Sequence, residues 1–417
     1  MKCRPTRFHI ALLLLVLAQL YSLATGFAVF SRLTYLLAAA LVTAYLWSRL
    51  SLRGIQVSIR WTTSRARVGD SLAGWMEVAN DGRFSKPFLE IQELTTVPGL
   101  HPGRVISIDP HTVQGWSSRV VARRRGVFTV GPVEVTAGDP FGIFRHVASF
   151  SEPHEVLIYP ATEPLPGFRP IMLGVPGDGY GQRVSLQATP SVSHIREYLP
   201  GDGLGKIHWP TTARTGTLMV KQFDEEVGND LWLLLDLDGG AHVGVGEDGT
   251  EEHAVIAAAS VADRALGLGV PVGLIASGAE PFHIPADRGP DQMFRILDAL
   301  ARVRAGGDRS LEATLGSDQA RRRRGNMMII TPSMSPGWAR SLGGMLGNPS
   351  QVVAALLDPV SFGGEAPVEP MVALLAERGV RSHVLRRGAP LAEAFASGPA
   401  QGPSARSATS RGAGARP

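Results

Sequence analysis

The rhythm of apolar positions changes several times along this chain, and each change marks a boundary. No charged residue occurs from Ile10 to Ser31, and after Arg32 the stretch Leu33–Ser48 is again uncharged. A hydrocarbon core of about 30 Å needs roughly 17 to 25 helical residues per crossing. The run from Phe8 to Trp47 therefore fits two short crossings, helices near Phe8–Ala24 and Arg32–Ser48, with a turn at Gly26 beside Thr25 and Ser31. Residues 1–53 are expected to form a two-helix transmembrane hairpin whose flanking arginines reach outward.

From Ile55 the period drops to two: Ile55, Val57, Ile59 and Trp61 alternate with polar residues. Turns at Val68-Gly69-Asp70 and Asn80-Asp81-Gly82 separate this run from Leu72–Val78 and Phe88–Leu94. Val105–Ile108, Trp116–Ala122, Val127–Val130, Val133–Thr136 and Glu155–Tyr159 follow. Short strands with turn signals every 8–12 residues or so predict an antiparallel β-sandwich of immunoglobulin-like type over residues 54–160. Gly126 and Gly131-Pro132 bound one of its strands, and Asp139-Pro140 with Gly142 makes a turn. Beyond Asp230, apolar runs at Leu231–Leu237, Val270–Ala276, Met327–Ile330, Val352–Leu357 and Val380–Leu385 alternate with helical patterns. Those patterns cover 251–267, Asp291–Val303, Pro336–Met345 and Val368–Arg378. Repeated βα units predict an α/β domain, a doubly wound parallel sheet, over 230–390. Residues 161–229 then form a connecting arm. Residues 391–417, rich in Ala, Gly, Ser and Pro from Ser397, form a tail expected to be disordered.

Charge narrows the function classes. Lys+Arg (41) and Asp+Glu (37) nearly cancel, a balance that does not suggest a dedicated nucleic-acid binder with its dense basic stripe. The single cysteine, Cys3, excludes an internal disulfide, a thiolate metal cluster and a cysteine nucleophile in a folded domain. Lys2, Arg4 and Arg7 precede the first crossing and Arg49 and Arg53 follow the second, whereas Arg32 alone lies in the connection. The positive-inside rule places both ends, and everything after Leu50, on the cytoplasmic side of the inner (plasma) membrane. The alternative is a cleaved signal with Ser22-Leu23-Ala24 as its site, which would make the rest an extracytoplasmic adhesion module. The second apolar stretch directly behind it favours the hairpin.

The densest motif is Ser193–Glu226. Ile195, Tyr198, Ile207 and Trp209 supply apolar surface. Arg196, Lys206, Arg214 and Lys221 stand among Glu197, Asp202, Asp224, Glu225 and Glu226, which predicts an arm held by ion pairs. Pro200-Gly201-Asp202-Gly203 and Thr215-Gly216-Thr217 are turn signals. His208, between Ile207 and Trp209, is expected to be a packed, hydrogen-bonded histidine rather than a base.

The order Arg196-Glu197-Tyr198, Pro200-Gly201-Asp202, Ile207-His208-Trp209, Ala213-Arg214 and Val220-Lys221 resembles the hallmark segment of the DUF58 family. The upstream RRGVFTVGP (from Arg124) and DPFGIF (from Asp139) resemble that family too. Gly205 and Pro210 stand where it usually carries basic residues. The resemblance implies a C-terminal domain like a von Willebrand factor A domain and a link to MoxR-type AAA+ ATPases.

In such a sheet, ligands bind beyond the carboxyl ends of the strands, where Asp236-Leu237-Asp238-Gly239-Gly240 falls. The A-domain pattern Asp-x-Ser-x-Ser holds a divalent cation through oxygens. Here Asp236 matches, Asp238 and Gly240 replace the serines, and Thr331-Pro332-Ser333 stands where a later aspartate is expected, so a degenerate Mg²⁺ site at Asp236 and Asp238 is the metal candidate. The same residues admit a haloacid-dehalogenase phosphatase with Asp236 as nucleophile and Asp238 as general acid/base, yet Lys221 is the last lysine, leaving none to complete the site. Arg321–Arg324 forms a basic loop suited to solvent or an anionic surface. The combined expectation is a non-catalytic scaffold that binds membrane and a protein partner, with no cofactor, nucleic acid or small-molecule substrate.

Overall fold

The computed structural model describes residues 2–5, 8–26, 28–100, 103–168, 192–199, 207–223, 230–306, 309–317, 325–345 and 351–396. The chain divides into two compact units, Met1–Ala161 and Thr162–Pro417.

The first unit begins with β1 (Lys2–Pro5) and two helices long and apolar enough to cross a membrane, α1 (Phe8–Thr25) and α2 (Ala28–Ser51). Gly26 ends α1 at φ 69°, its amide bonded to the Ser22 carbonyl, a conformation glycine adopts without Cβ strain. Helix α2 is longer than expected at both ends, because nothing between Ala28 and Ser51 breaks it once Gly26 has turned the chain. Phe144 packs against Phe8 at the start of α1 and Tyr45 near the end of α2 (centroids 5.6 and 5.5 Å), so the helices run antiparallel.

The helices lead into a two-sheet sandwich. One sheet holds β2 (Ile55–Trp61), β4 (Ser71–Asn80) and β7 (Thr112–Val121). The other holds β3 (Arg65–Arg67), β5 (Lys86–Thr95), β6 (Gly103–Ile108), β8 (Gly126–Gly138), β9 (Phe144–Phe150), β10 (His154–Tyr159) and the N-terminal β1. Met76 and Val78 of the first sheet meet Leu89, Ile91, Val133 and Val135 of the second in one buried cluster, which Leu52 joins from the end of α2. Where two strands are expected around Gly131-Pro132, one continuous strand runs. β8 pairs β10 through 126–130 and β9 through 133–138, so the Gly-Pro pair marks a change of partner rather than an end. β1 and β9 are pairings that local patterning does not announce.

The second unit contains a hairpin of β11 (Val192–Glu197) and β12 (Met219–Phe223) that carries the short helix α3 (Trp209–Thr215). After it comes a six-stranded sheet: β13 (Leu231–Asp236), β14 (Val272–Ser277), β15 (Pro281–Asp287), β16 (Asn326–Thr331), β17 (Val352–Leu357) and β18 (Arg381–Leu385). Its order is β15-β14-β13-β16-β17-β18, parallel except for β15. β13, β14, β16 and β17 are buried throughout, as strands covered on both faces must be. Trp232, Leu234, Ile329 and Ala354 face the helices Pro336–Met345 and Glu369–Glu377 through Trp338, Leu342, Met371 and Leu375. α4 (Thr250–Gly267) packs on β13, β14, β16 and β17, and α5 (Pro290–Arg302) on β14 and β15. β15 is unexpected because it holds Pro281 and Pro285, which a strand tolerates only at an edge.

The first residues of the expected tail are ordered. Leu391–Ala396 is a helix with Leu391 and Phe395 buried, its Ala394 carbonyl hydrogen-bonded by His383 Nδ1 at 2.9 Å. Apolar contact to the last strand overrides the polar composition around it. Arg321–Arg324 and residues 397–417 lie outside the described residues.

Among the ionisable side chains buried in the sandwich, Arg125 (1% exposed) and Glu93 (3%) lie deepest. Glu93 Oε1 accepts from Trp61 Nε1 at 3.0 Å, and burial pushes its carboxyl up to about 7. With the unfolded value near 4.5, its contribution is full below that pH and is lost as pH rises through about 7. Glu93→Gln is therefore expected to gain up to about 3 kcal/mol over wild type at pH 8 and little at pH 4. Thermal unfolding of the detergent-solubilised full chain across that range measures it, and an equal offset at both pH values would contradict the assignment.

Candidate functional site

Strand order reverses between β13 and β16, so their adjacent carboxyl ends are the switch point where open α/β sheets take ligands. Asp236 ends one strand and Thr331 the other. Asp236 is fully buried. Its Oδ2 accepts from the Thr331 hydroxyl at 2.6 Å and its Oδ1 from the Asp238 amide at 3.2 Å, while Thr331 Oγ1 accepts from the Ser333 amide at 2.9 Å. Burial pushes the Asp236 carboxyl above its usual range, against the opposing pull of those two donors. Asp238, half-buried, turns back on its own loop, its Oδ1 accepting from the Gly240 amide at 3.0 Å. Gly239 allows a close approach here, since a Cβ would stand 3.1 Å from the Gly306 Cα where the Gly306 amide bonds the Leu237 carbonyl.

His242, which sequence reasoning passed over, ties the following loop down. Its Nε2 lies 3.0 Å from the Asp236 carbonyl oxygen, which can only accept, so Nε2 carries the proton, and Nδ1 lies 3.0 Å from the Thr250 hydroxyl oxygen. Burial lowers the imidazole's pKa, while the bond to Asp236 and nearby carboxylates raise it. The histidine is a strut with both nitrogens engaged. The signal that could have found it is its position six residues after the strand-end aspartate and eight before the first residue of α4. Downstream, Asp358 at the end of β17 pairs with Arg386 (3.3 Å), and Asp248 with Arg387 (2.8 Å).

These contacts set what the site can do. Asp236 has both oxygens engaged, Asp238 is closed on Gly240, and Gly240 brings no hydroxyl. Among the described residues no group of three His, Cys, Asp or Glu side chains is placed to hold a metal ion. The pair expected to ligate Mg²⁺ is instead engaged in hydrogen bonds within the protein in this arrangement. The phosphatase reading finds no support either: its nucleophile would be a fully buried carboxyl hydrogen-bonded to a threonine.

The hallmark segment is brought together as the β11–β12 hairpin. Ile207 is buried and bridges Val220, and the Tyr198 amide bonds the Leu218 carbonyl at 2.9 Å. His208 caps α3: its Nδ1 lies 2.7 Å from the Thr211 hydroxyl and 3.3 Å from the Thr211 amide, and its own amide bonds the Met219 carbonyl at 2.8 Å. Gly216, at φ 73°, closes the helix where a turn is expected. Glu197, Trp209, Ala213 and Arg214 are exposed, and Arg196 donates to the Glu197 carbonyl at 3.0 Å. Pro200, Gly201, Asp202, Lys206 and Asp224–Glu226 lie outside the described residues. The strand ladder and the histidine cap join the described part of the arm, and most of the charged residues expected to pair across it lie outside the described residues.

A family model described as "Protein of unknown function DUF58" matches residues 194–362. An uncharacterised protein of Mycobacterium tuberculosis is 30% identical over 189 residues, 44% of this chain and 59% of that protein, so this chain spans less than two thirds of that relative's length. The uncharacterised protein YeaD of Bacillus subtilis is 24% identical over 285 residues, 66% of this chain and 68% of that protein. Among solved structures, the CARDB domain of a Pyrococcus furiosus protein is similar at 13% identity and a TM-score of 0.19, over 25% of this chain and 91% of that one.

Thr331→Val removes the hydroxyl that favours the charged form of Asp236. It is expected to cost about 1–3 kcal/mol at pH 8 and less in acid, where the carboxyl is neutral. Asp236→Asn keeps the shape without the buried charge and is expected to remain folded, with an unfolding temperature that Mg²⁺ and EDTA leave equal. Calorimetry of the two variants tests both statements, and a Mg²⁺-dependent rise in wild type would contradict the strut.

Proposed function

With residues 194–362 of this chain assigned to DUF58, we propose that it is a membrane-anchored, non-catalytic docking module. In this reading α1 and α2 hold it in the inner membrane and the remainder faces the cytoplasm. Its α/β sheet is doubly wound and of von Willebrand factor A type, and its strand-end loops engage a protein partner, a MoxR-type AAA+ ATPase.

The basic flanks support the orientation: Lys2, Arg4 and Arg7 before α1 and Arg49 and Arg53 after α2 outnumber the lone Arg32. The strand order, with its reversal at β13/β16 and one antiparallel edge, supports the A-type reading. The observation that carries the docking role is a contrast at one strand end. Asp236 is fully buried, whereas Val245, nine residues on, is 92% exposed. The loop that presents Val245 is pinned by His242, and it is closed where a Cβ on Gly244 would stand 3.0 Å from the Gly249 Cα. Val360, on the loop after β17, is 52% exposed. Rigid exposed apolar side chains beside ion-paired loops suit a protein surface, because little conformational entropy is lost when they are covered.

The test is co-purification of the full chain from mildly solubilised membranes with a MoxR-type ATPase supplied in the same cells. Capture is expected for wild type and Asp236→Asn and is expected to fall about tenfold or more for Val245→Asp, a change at an apolar contact. No enrichment of the ATPase over an unrelated membrane bait would sink the partner assignment. Protease cleavage of the α/β domain in inverted vesicles, with protection in intact spheroplasts, is expected for the cytoplasmic orientation, and the reverse pattern would reject it.

A further inference from the structure

The sandwich end that meets the helices carries features that neither the fold nor the docking role uses. At 1.5 Å per residue, Ala28 to Trp47 covers about 30 Å, the thickness of a bilayer's hydrocarbon core. Trp47 therefore stands at the boundary, and one face of the turn beyond it meets the sandwich: Ser48 is fully covered, its hydroxyl 2.9 Å from His146 Nδ1, and Ser51 is buried. Phe8, where α1 begins, lies on the same Phe144 ring as Tyr45. These contacts leave no spacer between bilayer and sandwich.

Two phenylalanines are pushed outward at this level. Phe88 sits on β5 where the ladder with β6 slips, at φ 54°, and is 77% exposed. A non-glycine residue is held in that region only where its surroundings enforce it, and bulges of this kind re-aim side chains. Phe88 and Trp47 line one cleft of about 410 Å³ with Asp139 and Arg145. Across it, Asp139 accepts from the amides of Phe141 (2.8 Å) and Phe144 (2.5 Å). The resulting turn buries Phe144 against the helices and leaves Phe141 60% exposed. The DPFGIF motif thus divides its aromatics between a buried anchor and an outward wedge.

Farther from the bilayer centre, Arg53 and Arg83 line a second cleft of about 250 Å³ with Leu50 and Phe84. No carboxylate lines it, and among the described residues neither arginine has an ion-pair partner. Lys86 in the same wall is committed elsewhere, donating to the Leu50 carbonyl at 2.7 Å. Arg53 lies six residues beyond Trp47, about 9 Å along the chain's exit, within reach of the headgroup layer. Aromatics at the boundary with unpaired guanidiniums just outside it match the layering of a bilayer's polar edge.

We propose that the helix-proximal end of the sandwich is a seat for anionic phospholipid, with Phe88 and Phe141 inserted beside Trp47 and a headgroup phosphate held between Arg53 and Arg83. This rests on the membrane-anchored reading and extends it: the sandwich lies in the headgroup layer, not on a stalk.

The test uses the full chain in nanodiscs of phosphatidylcholine and phosphatidylglycerol, in a Cys3→Ser background. Phe88→Cys, Phe141→Cys and, at the opposite end of β2, Thr63→Cys each receive a bimane label. Lipids brominated near the headgroup are expected to quench positions 88 and 141 and to leave 63 bright. Equal brightness at all three positions in chain-bearing discs would overturn the seat while leaving the anchor intact, whereas a chain that never enters discs would overturn both. Lipid carried through mild detergent supplies the second readout. Phosphatidylglycerol is expected to be enriched over phosphatidylcholine in wild type and to lose that enrichment about tenfold in the Arg53→Gln/Arg83→Gln variant. Lipid retained in the bilayer's own ratio, or enrichment that survives the double substitution, would overturn the phosphate site.

Discussion

A helix that ends against a protein surface leaves carbonyls without amide partners, and the architecture of the first unit depends on how α2 meets that demand. Lys86 reaches from β5 and donates its ammonium to the Leu50 carbonyl at 2.7 Å, a charged donor where the helix dipole is most negative. The cost is visible in Lys86 itself: its side chain is buried and its pKa is depressed by desolvation. Ser48 with His146, and Leu52 in the sandwich cluster, complete a junction in which the end of α2 belongs to the β-core. β1 ties the other end of the hairpin to β9. Two attachments to one sandwich restrict rotation about the helix exit, and this gives Phe88, Phe141, Arg53 and Arg83 defined levels relative to the helices.

In the second unit the decisive element is a carboxyl turned inward. The end of β13 offers the position at which many α/β sheets do chemistry, yet Asp236 spends its oxygens on Thr331 and Asp238, and His242 spends its nitrogens on the Asp236 carbonyl and Thr250. Each of these contacts stiffens a loop. The switch point acts as a brace, and exposed apolar character moves outward to Val245 and Val360.

The hallmark hairpin follows a similar economy. His208, the residue that invites a catalytic reading, supplies a helix cap, and Ile207 supplies the buried contact under it. A cap needs only an acceptor at the right height and a packed neighbour. That requirement explains a histidine flanked by Ile207 and Trp209 without invoking proton transfer.

Local chemistry determined a good deal. The two apolar helices and the turn at Gly26 follow from residue type and period alone. So do most sandwich strands, the parallel strands and their helices, because apolar spacing is a property of neighbours in sequence. The inward role of Asp236 was not legible. It depends on Thr331, ninety-five positions away, reaching the same strand end, and on Gly306 closing over Gly239. The partners of β8, the docking of β1 on β9 and the edge position that lets β15 keep its prolines were likewise decided in three dimensions. A strand's partner is chosen by which surfaces remain to be covered after the chain collapses, and no window of adjacent residues contains that information.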